Sequence, residues 1–361
     1  MRTKNYLLGF TCIVITSILL ILFGDQRPAV QSILTETHKQ LKNNIQTFKD
    51  NLKEAEEKRW TADEKYLLAL GFNSSPRLYP QSVWTNTSLP VIVSYLFDGD
   101  AELGVGLVRN IAHYLPNHTL LIYNLGLGRY DLQLILTYCN TSRCSVIDFY
   151  LSDFPSHVND HKIHAYRPII IQDALNHAGA VLFMESNLRL TTGHIHPLIE
   201  KAVGTADQEG SGIVCWASRQ AVTSLTHPSM FRYFHTTTNE GFMFLPMVEA
   251  TRLLVYNTPE VHREIMLPWI QCSLTHDCIL PIGAQSGGCR FDKKPLYRYS
   301  GCHSYDSSAL NIVLGLKFQF DDTRYSAPTP DSWFYTVSAG SAAEEVAKLQ
   351  DNVTDASTTD S

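Results

Sequence analysis

The sequence predicts an α/β domain, built on a mostly parallel sheet with helices on both faces, that follows a single transmembrane anchor and a stem. Three observations support this prediction. A charge-free apolar run lies near the N-terminus, strand-like and helix-like segments alternate across residues 89–325, and 44% of the 361 residues are hydrophobic. A chain of this length and composition can bury a large core.

The anchor is predicted at residues 6–23, which carry no charge and approach the roughly 20 residues that cross a bilayer. Arg2 and Lys4 precede this run, and positive charge beside an anchor favours the cytosolic side. The sequence therefore predicts a cytoplasmic tail at 1–5 and a luminal C-terminal part. A cleaved secretory signal is the alternative, but the run is longer than a usual signal core and no small-x-small cleavage site follows it.

Residues 24–65 are predicted to form a stem. Residues recur there at three- and four-residue steps, which indicates a short heptad stripe with His38 as its one polar position: Leu34, His38, Leu41, Ile45, Phe48, Leu52 and Ala55. Two interpretations stay open, a coiled coil that pairs two chains into a homodimer and a lone amphipathic helix lying on the domain. Residues 338–361, after the domain at 66–337, are small, polar and acidic, which predicts a disordered tail.

The cysteines and glycosylation sequons indicate an oxidising lumen. Three local bridges are easily drawn, with connectivity left open: Cys139 with Cys144, Cys272 with Cys278, and Cys289 with Cys302. Cys215 lies in a strand-like run and is predicted to be a buried free thiol. Asn-x-Ser/Thr sequons occur at Asn73, Asn86, Asn117, Asn140 and Asn352. Together with the anchor they predict a single-pass type II protein of the secretory pathway, in the Golgi.

The domain alternates strands with helices. In order, the expected elements are the strand LPVIVSYLF, the helix GDAELGVGLVRNIAHYL, the strand HTLLIYNLG, the helix YDLQLILTYC, the strand SVIDFYL, the helix AYRPIIIQDALNHAG and the strand AVLFMES. Pro168 near the first turn and Gly179 at the end delimit the last of these helices. Such alternation predicts a largely parallel sheet covered on both faces.

Ligands of such sheets bind outside the carboxyl ends of the strands. Three polar segments are expected at that edge: Asp98 with its neighbours, residues 124–126, and Glu185-Ser186-Asn187. The run before Glu185 is apolar because its strand is central, and it ends in polar residues because that end faces the cleft. Asp98 is expected either to contact a nucleotide or only to terminate its strand.

An apolar strand that runs into acidic residues in a luminal α/β domain resembles the GT-A type of nucleotide-sugar glycosyltransferase. In that type an Asp-x-Asp motif holds a divalent ion against the diphosphate of the donor. The resemblance implies Mn²⁺ or Mg²⁺, with Glu185 and Asn187 as ligands, one carboxylate fewer than the motif has. Arg167 would attract the diphosphate, although an Arg at a helix start is also often a solvated charge.

A second resemblance covers about residues 91–316. Runs such as IYNLGLG, YRPIIIQDAL and YSGCHSYDSSALNIVL are similar to those of animal type II membrane proteins, numerous in nematodes, that are classed as domains of unknown function with glycosyltransferase-like character. YDSSALN resembles an Asp-Gln-x-x-x-Asn element of several GT-A families, with Ser307 in place of Gln. By position, Asp306 would be catalytic and face the acceptor or sugar. Asn311 would contact the donor, and His303 would complete a metal shell or touch the diphosphate.

Each of these residues also has a structural interpretation. Glu185 would cap the strand end or pair with Arg189, Asp306 would be the N-cap of the following helix, and His303 would only be held by its disulfide neighbour.

The resemblances imply transfer of a sugar from a nucleotide-sugar donor to a glycan or glycoprotein acceptor. The alternative is a catalytically inactive domain of the same fold that serves as a luminal or cell-surface binding module. A hydrolase is disfavoured because the sequence has neither a Gly-x-Ser-x-Gly nor a His-Glu-x-x-His motif. Nucleic acid is not an expected partner, since the net charge is -6 and no basic stripe stands out.

Overall fold

The computed structural model describes residues 14–19, 39, 42, 46, 61–72, 89–205, 208–237, 240–292, 294–328 and 333–358. The chain divides into two compact units, Met1–Arg59 and Trp60–Ser361. In the first unit residues 14–19 are helical, while the rest of the predicted anchor and nearly all of the predicted stem lie outside the described residues. Among the described residues, no helix has both the length and the apolar character that a membrane span requires.

The second unit is an α/β domain around a six-stranded sheet with strand order β3-β2-β1-β4-β9-β8. Strands β1, β2, β3 and β4 pair in parallel, whereas β9 is antiparallel to both of its neighbours. The described strands are β1 (Val91–Leu96), β2 (Leu120–Asn124), β3 (Cys144–Asp148), β4 (Ala180–Met184), β5 (Leu188–Leu190), β6 (Gly204–Thr205), β7 (Gln208–Glu209), β8 (Ile213–Ala221), β9 (Pro246–Tyr256) and β10 (Phe334–Thr336).

Helices cover both faces of the sheet, as the alternating sequence pattern predicts. The described helices are α1 (Glu64–Ala69), α2 (Ala101–Tyr114), α3 (Arg129–Tyr138), α4 (Tyr166–Ala178), α5 (His196–Val203), α6 (Pro228–Tyr233), α7 (Glu240–Phe244), α8 (Pro259–Val261), α9 (Leu267–Leu274), α10 (His276–Ile279), α11 (Tyr305–Lys317) and α12 (Ala339–Thr358). The α/β class and the mostly parallel sheet are confirmed. The antiparallel strand β9 in its interior is an addition that the strand-helix alternation does not predict.

The core consists of two hydrophobic layers separated by the sheet. In β1, Val93 and Tyr95 belong to one layer with α4, α9 and α11, while Ile92 and Leu96 belong to the other with α2. This division follows the two-residue period of a strand. Every residue of β4 is fully buried, because both of its faces and both of its edges are covered. The near-continuous apolar run AVLFM is what such a central strand requires.

The C-terminal segment corrects the prediction of a disordered tail. Helix α12 begins at Ala339, and its residues Ala342 and Val346 are buried against the layer that contains α2. Ala, Glu, Lys and Leu are strong helix formers, and Ala342, Val346 and Leu349 recur at the spacing of one helix face. The average composition of residues 338–361 is polar, and it does not show that these three apolar residues lie on one helix face.

The three local disulfides drawn from the sequence are confirmed. Cys139–Cys144, Cys272–Cys278 and Cys289–Cys302 all have bonded sulfur atoms, with Cα–Cα distances of 5.1, 5.2 and 5.1 Å. Cys215 is a buried free thiol in β8, as predicted. Its burial raises the pKa of the thiol well above its usual range, so this cysteine is an inert core residue.

Candidate functional site

The loops at the carboxyl ends of β1, β2 and β3 are tied to one another by side chains. Asp98 accepts a hydrogen bond from the Gly128 backbone N–H at 2.8 Å, and the Gly99 N–H donates to Asp131 at 2.9 Å. The amide nitrogen of Asn124 donates to Asp148 at 2.7 Å, which joins the ends of β2 and β3. These contacts make one polar rim at the edge where ligands of parallel sheets bind.

Asp98 therefore does more than terminate β1. Its side chain is exposed, and one carboxylate oxygen holds the start of α3 through the Gly128 amide. A side chain at Gly128 would collide with this contact, because an added Cβ would lie 2.8 Å from Asp98 Oδ1. Whether Asp98 also contacts a nucleotide stays a prediction.

The predicted residues Arg167, Glu185 and Asp306 lie together as one cluster, called the acid-arginine cluster below. Nη1 of Arg167 donates to both carboxylate oxygens of Asp306, at 3.2 and 3.1 Å, and Nη2 donates to Oε1 of Glu185. Glu185 follows β4, and its backbone N–H is still bound to the Thr251 carbonyl at 3.0 Å. Arg167 lies in the first turn of α4, which packs against β4.

Exposure decreases through the cluster. The Glu185 side chain keeps 15% of its surface exposed, against 5% for Arg167 and 1% for Asp306. Glu185 is therefore the member that can meet a ligand in the cleft. Burial by itself would lower the pKa of Arg167, but the two carboxylates raise it well above its usual range, so the guanidinium remains charged.

Asp306 is a buried partner of Arg167, which corrects the prediction that it faces the acceptor or the sugar. It is the second residue of α11, and Ser304 is the N-cap, so Asp306 is not the helix cap either. Its backbone carbonyl accepts a hydrogen bond from the Trp269 indole at 2.8 Å. Burial raises the pKa of the carboxyl to about 6, against the opposing effect of Arg167. This position suits a residue that orients Arg167.

Two tyrosines that the sequence analysis did not single out complete the cluster. The Tyr95 hydroxyl donates to Oε1 of Glu185 at 2.8 Å, and the Tyr166 hydroxyl donates to the Tyr95 oxygen at 3.4 Å. A signal for Tyr95 exists in the sequence: it lies near the carboxyl end of a central strand, where a buried hydroxyl needs a polar partner. Tyr166 directly precedes Arg167 and has no comparable signal.

His164 lies at the outer end of this hydrogen-bonded chain. Its Nδ1 is within hydrogen-bond distance of the Tyr166 hydroxyl, at 3.0 Å. Burial lowers the pKa of His164 to about 4, with the Arg167 charge as a second cause, and the imidazole is neutral at pH 7. Its φ of 53° is rare for a residue with a side chain and occurs where α4 begins.

Aromatic rings form the wall beside the tyrosines. Phe97 stacks on His161 with a centroid distance of 3.6 Å and meets Tyr166 edge to face at 5.2 Å. Phe97 is 8% exposed and His161 is exposed, so the pair extends from the core to the surface at the end of β1. A flat aromatic surface beside a polar rim is suited to contact with a ring-shaped ligand.

Asn311 is used by the fold rather than by the cleft. It is fully buried, and its side-chain amide donates to the carbonyls of Val248 and Ser307, both at 2.7 Å. Its oxygen accepts the Val248 N–H at 2.8 Å. The two bonds with Val248 join α11 to β9, and the second amide hydrogen is taken up within α11, which corrects the expectation that Asn311 contacts a donor.

The residues predicted as cation ligands are not arranged as one ligand set. His303 is 1% exposed, its Nδ1 accepts the His227 N–H at 3.2 Å, and its Nε2 lies 3.2 Å from the Ile279 carbonyl. Oε1 of Glu185 already accepts from Tyr95 and Arg167. Oδ1 of Asn187 is buried and has no hydrogen-bond partner within the described part of the chain.

A divalent cation does not fit these residues. The single carboxylate available, Glu185, is paired with the positive charge of Arg167, and a second cation would repel that guanidinium. Within the described ranges, no group of three His, Cys, Asp or Glu side chains is placed to hold a metal ion. The predicted metal set of Glu185, Asn187 and His303 is therefore corrected.

Arg189 does not pair with Glu185, which corrects the structural interpretation of that carboxylate. Its guanidinium donates to the backbone carbonyls of Ser186, Leu188 and Leu103, at 2.6, 2.9 and 3.0 Å. This bonding connects the turn after β4 to α2. The absence of a side chain at Gly106 is required, since an added Cβ there would lie 2.3 Å from an Arg189 nitrogen.

No model of a known protein family matches the chain, and no curated protein matches it. Similar solved structures include the bifunctional glycosyltransferase WbbM (11% identity, TM-score 0.41), the glycosyltransferase GlyE of Streptococcus pneumoniae TIGR4 (14%, 0.36) and mouse xyloside xylosyltransferase 1 (9%, 0.36). The alignments cover 65%, 66% and 66% of this chain and 38%, 45% and 84% of those three chains. This chain thus spans less than half the length of WbbM and GlyE. At these identities and scores, the similarity assigns neither a substrate nor a reaction to this chain.

Proposed function

We propose that this chain is a glycosyltransferase that transfers a sugar from a nucleotide-sugar donor to a glycan or glycoprotein acceptor. The observation that carries the proposal is the partly exposed Glu185 carboxylate at the carboxyl edge of the parallel sheet, held in place by Tyr95 and Arg167. That edge is where such sheets bind nucleotides. The proposal rests on this geometry and not on the structural similarities.

The chemistry of sugar transfer suits the groups present. Departure of a nucleoside diphosphate builds negative charge, which a fixed guanidinium such as Arg167 can stabilise without reorganisation. Glu185, the exposed member of the cluster, is placed to orient the sugar or to accept the proton of an acceptor hydroxyl. Asp306 is a positioning residue in this scheme, because it touches Arg167 and is fully buried.

We also propose that the domain is luminal and anchored in the secretory pathway, in the Golgi. Three disulfides support an oxidising compartment. The sequons at Asn117 and Asn140 are exposed, as glycan acceptors must be. The predicted anchor at residues 6–23 supplies the type II topology in this proposal.

A second candidate function is a binding module of the same fold without catalysis. One observation favours it: Arg167 is already paired with two carboxylates, so its charge is partly compensated before any diphosphate arrives. Such a domain would bind a nucleotide sugar or glycan and release no product.

The test is a thermal-shift screen of the purified protein against UDP-sugars and GDP-sugars, with and without Mn²⁺, followed by a measurement of released nucleotide. We expect one donor to raise the melting temperature of the wild type. Glu185→Gln is expected to abolish the shift or the turnover, whereas Glu260→Gln, an exposed carboxylate on α8, keeps both. Donor binding without released nucleotide favours the binding module, and no shift with any donor contradicts the transfer reaction and leaves the binding module, with a glycan as its ligand.

A further inference from the structure

The loop closed by the Cys289–Cys302 disulfide and the residues just before it line an open cavity that lies outside the acid-arginine cluster. Its volume is about 470 Å³, and its lining includes Gln285, Gly288, Arg290, Arg298, Tyr299 and Gly301. This volume is in the range of small-molecule sites, about 300–1,000 Å³. The cavity is called the arginine cavity below.

Two positively charged side chains line the arginine cavity. Arg290 and Arg298 both line it and are exposed, and neither makes an ion pair or a side-chain hydrogen bond with any residue in the part of the chain that the structure describes. An anion in this cavity would be attracted by both cationic side chains. Arginine presents a planar fork of donors that matches carboxylate, sulfate and phosphate oxygens.

Neutral groups add to the polarity of the arginine cavity. The hydroxyl of Tyr299 is buried and has no hydrogen-bond partner among the described residues. Gly288 and Gly301 have φ values of 76° and 92°, which favour glycine, and no atom lies within 4 Å of a Cβ added at either position. The backbone next to the arginines is thus open on the side where a ligand would approach.

The loop is held in a fixed shape. Besides the disulfide, the Arg290 N–H donates to the Ser300 carbonyl at 2.9 Å. The N–H and the hydroxyl of Ser300 both donate to the Ser224 carbonyl, at 2.9 and 2.7 Å, which anchors the loop to the buried turn after β8. A site that is rigid before binding loses little entropy when a ligand enters.

Ring contacts and one hydrogen bond lead from the arginine cavity to the residue before Asp306. Tyr299 meets His227 edge to face at 5.6 Å, and the His227 N–H donates to His303. His303 contacts Tyr305 at 5.1 Å, and Tyr305 directly precedes Asp306.

We propose that the arginine cavity binds an acidic group, a sulfate or a carboxylate, on the acceptor glycan. This inference rests on the proposed function, which supplies a glycan as ligand. The donor is expected at the ends of β1, β2 and β4, whereas the arginine cavity lies in the loop that precedes α11. The acceptor is accordingly the substrate that carries the acidic group, and the two arginines select acidic over neutral glycans.

The experiment measures binding of the full-length protein to four probes by calorimetry: a sulfated disaccharide, a disaccharide containing a uronic acid, a neutral disaccharide of the same linkage, and inorganic sulfate. We expect at least one acidic disaccharide to bind about tenfold more tightly than the neutral one. The variant Arg290→Gln/Arg298→Gln should lose this preference. The control Arg109→Gln/Arg219→Gln removes two exposed arginines elsewhere and should keep affinities within about twofold.

Three outcomes overturn the proposal. The acidic and neutral disaccharides bind equally, or both double variants lose the same affinity, or inorganic sulfate binds at Arg290 and Arg298 while no acidic disaccharide is preferred. Donor binding, followed in parallel by thermal shift, separates this proposal from the proposed function. A protein that binds a donor but does not prefer acidic glycans loses only the present inference, whereas one that prefers acidic glycans without binding a donor loses only the transfer reaction.

Discussion

Arg167 holds Asp306 in a fully buried ion pair, with Nη1 3.2 and 3.1 Å from the two carboxylate oxygens. The same guanidinium donates through Nη2 to Glu185, so one side chain connects α4, α11 and the end of β4. A cluster of this kind makes the candidate site part of the hydrophobic core. Its integrity therefore affects both stability and function.

Replacing Arg167 should destabilise the protein strongly. In Arg167→Gln, Asp306 remains buried without a positive partner, which typically costs about 3–5 kcal/mol of unfolding free energy. Urea denaturation followed by fluorescence measures this change. Arg109→Gln, on an exposed face of α2, is the matched control and should change the unfolding free energy by less than about 0.5 kcal/mol. Equal effects of the two substitutions would contradict the buried ion pair.

The unfolding free energy should depend on pH because Asp306 titrates differently in the folded and unfolded states. Its pKa is about 6 in the folded protein and near 3.9 in an unfolded chain, so the folded state binds the proton more tightly. The stabilisation from protonated Asp306 is therefore complete below about pH 4 and is lost as the pH rises through about 6.

The variant Asp306→Asn tests this sign. Wild-type unfolding free energy should fall with rising pH between about 4 and 6 relative to the variant, by at most about 1.4 kcal/mol per pH unit for one proton. The comparison with the variant removes the contribution of other titrating groups. A wild-type curve that rises relative to Asp306→Asn over this range would mean that Arg167 outweighs burial and lowers the pKa.

The sequence predicts the parts of this site that follow from local patterns, and it does not predict contacts between residues that are far apart in the sequence. Glu185 and Arg167 are each predicted as candidates from a local pattern: an apolar strand that ends in polar residues, and a helix start before that strand. The burial of Asp306 depends on how α11 docks against α9 and β9, which no local pattern contains. For the same reason, the sequence motif suggests that Asn311 contacts the donor, whereas in the structure its buried side chain hydrogen-bonds α11 to β9.

Sequence patterns do not single out a functional polar group when its residue lies within an otherwise apolar segment. In the sequence Tyr95 is one of the aromatic residues that favour a strand, and only the structure shows that its hydroxyl donates a hydrogen bond to Glu185. His164 precedes a helix without any motif, and its role depends on an unusual φ of 53°. The helix α12 was missed because average composition does not register a narrow apolar stripe.

Removing the Tyr95 hydroxyl should impair function more than stability. In Tyr95→Phe, Glu185 loses the 2.8 Å hydrogen bond that orients it, while the ring packing is kept. Loss of one such bond typically costs about 0.5–1.5 kcal/mol, and we expect about a tenfold fall in kcat/KM for the transfer reaction if orientation limits it. Tyr150→Phe, an exposed tyrosine, is the control. Full activity of Tyr95→Phe would show that Glu185 needs no orientation by this hydroxyl.

The buried disulfide between α9 and α10 should contribute to stability. Cys272 and Cys278 are both fully buried, and the disulfide links residues with a sequence separation of 6. Cys272→Ser and Cys278→Ser should each lower the unfolding free energy by about 2 kcal/mol, the low end of the usual range because the loop is short. Thiol counts of the unfolded protein with and without reductant test the bridge itself, and equal counts would contradict it.

The last prediction concerns α12, the helix that average composition failed to predict. Ala342 is fully buried, whereas its neighbour Ala343 is exposed on the same helix. Ala342→Glu forces a charge and extra volume into the packed layer beside α2, so we expect a loss of about 1–3 kcal/mol in unfolding free energy. Ala343→Glu makes the same chemical change on the solvent face and should stay within about 0.5 kcal/mol. Urea unfolding of the two variants decides whether α12 belongs to the folded domain: a large difference between them requires packing at Ala342, and equal curves would restore the disordered tail.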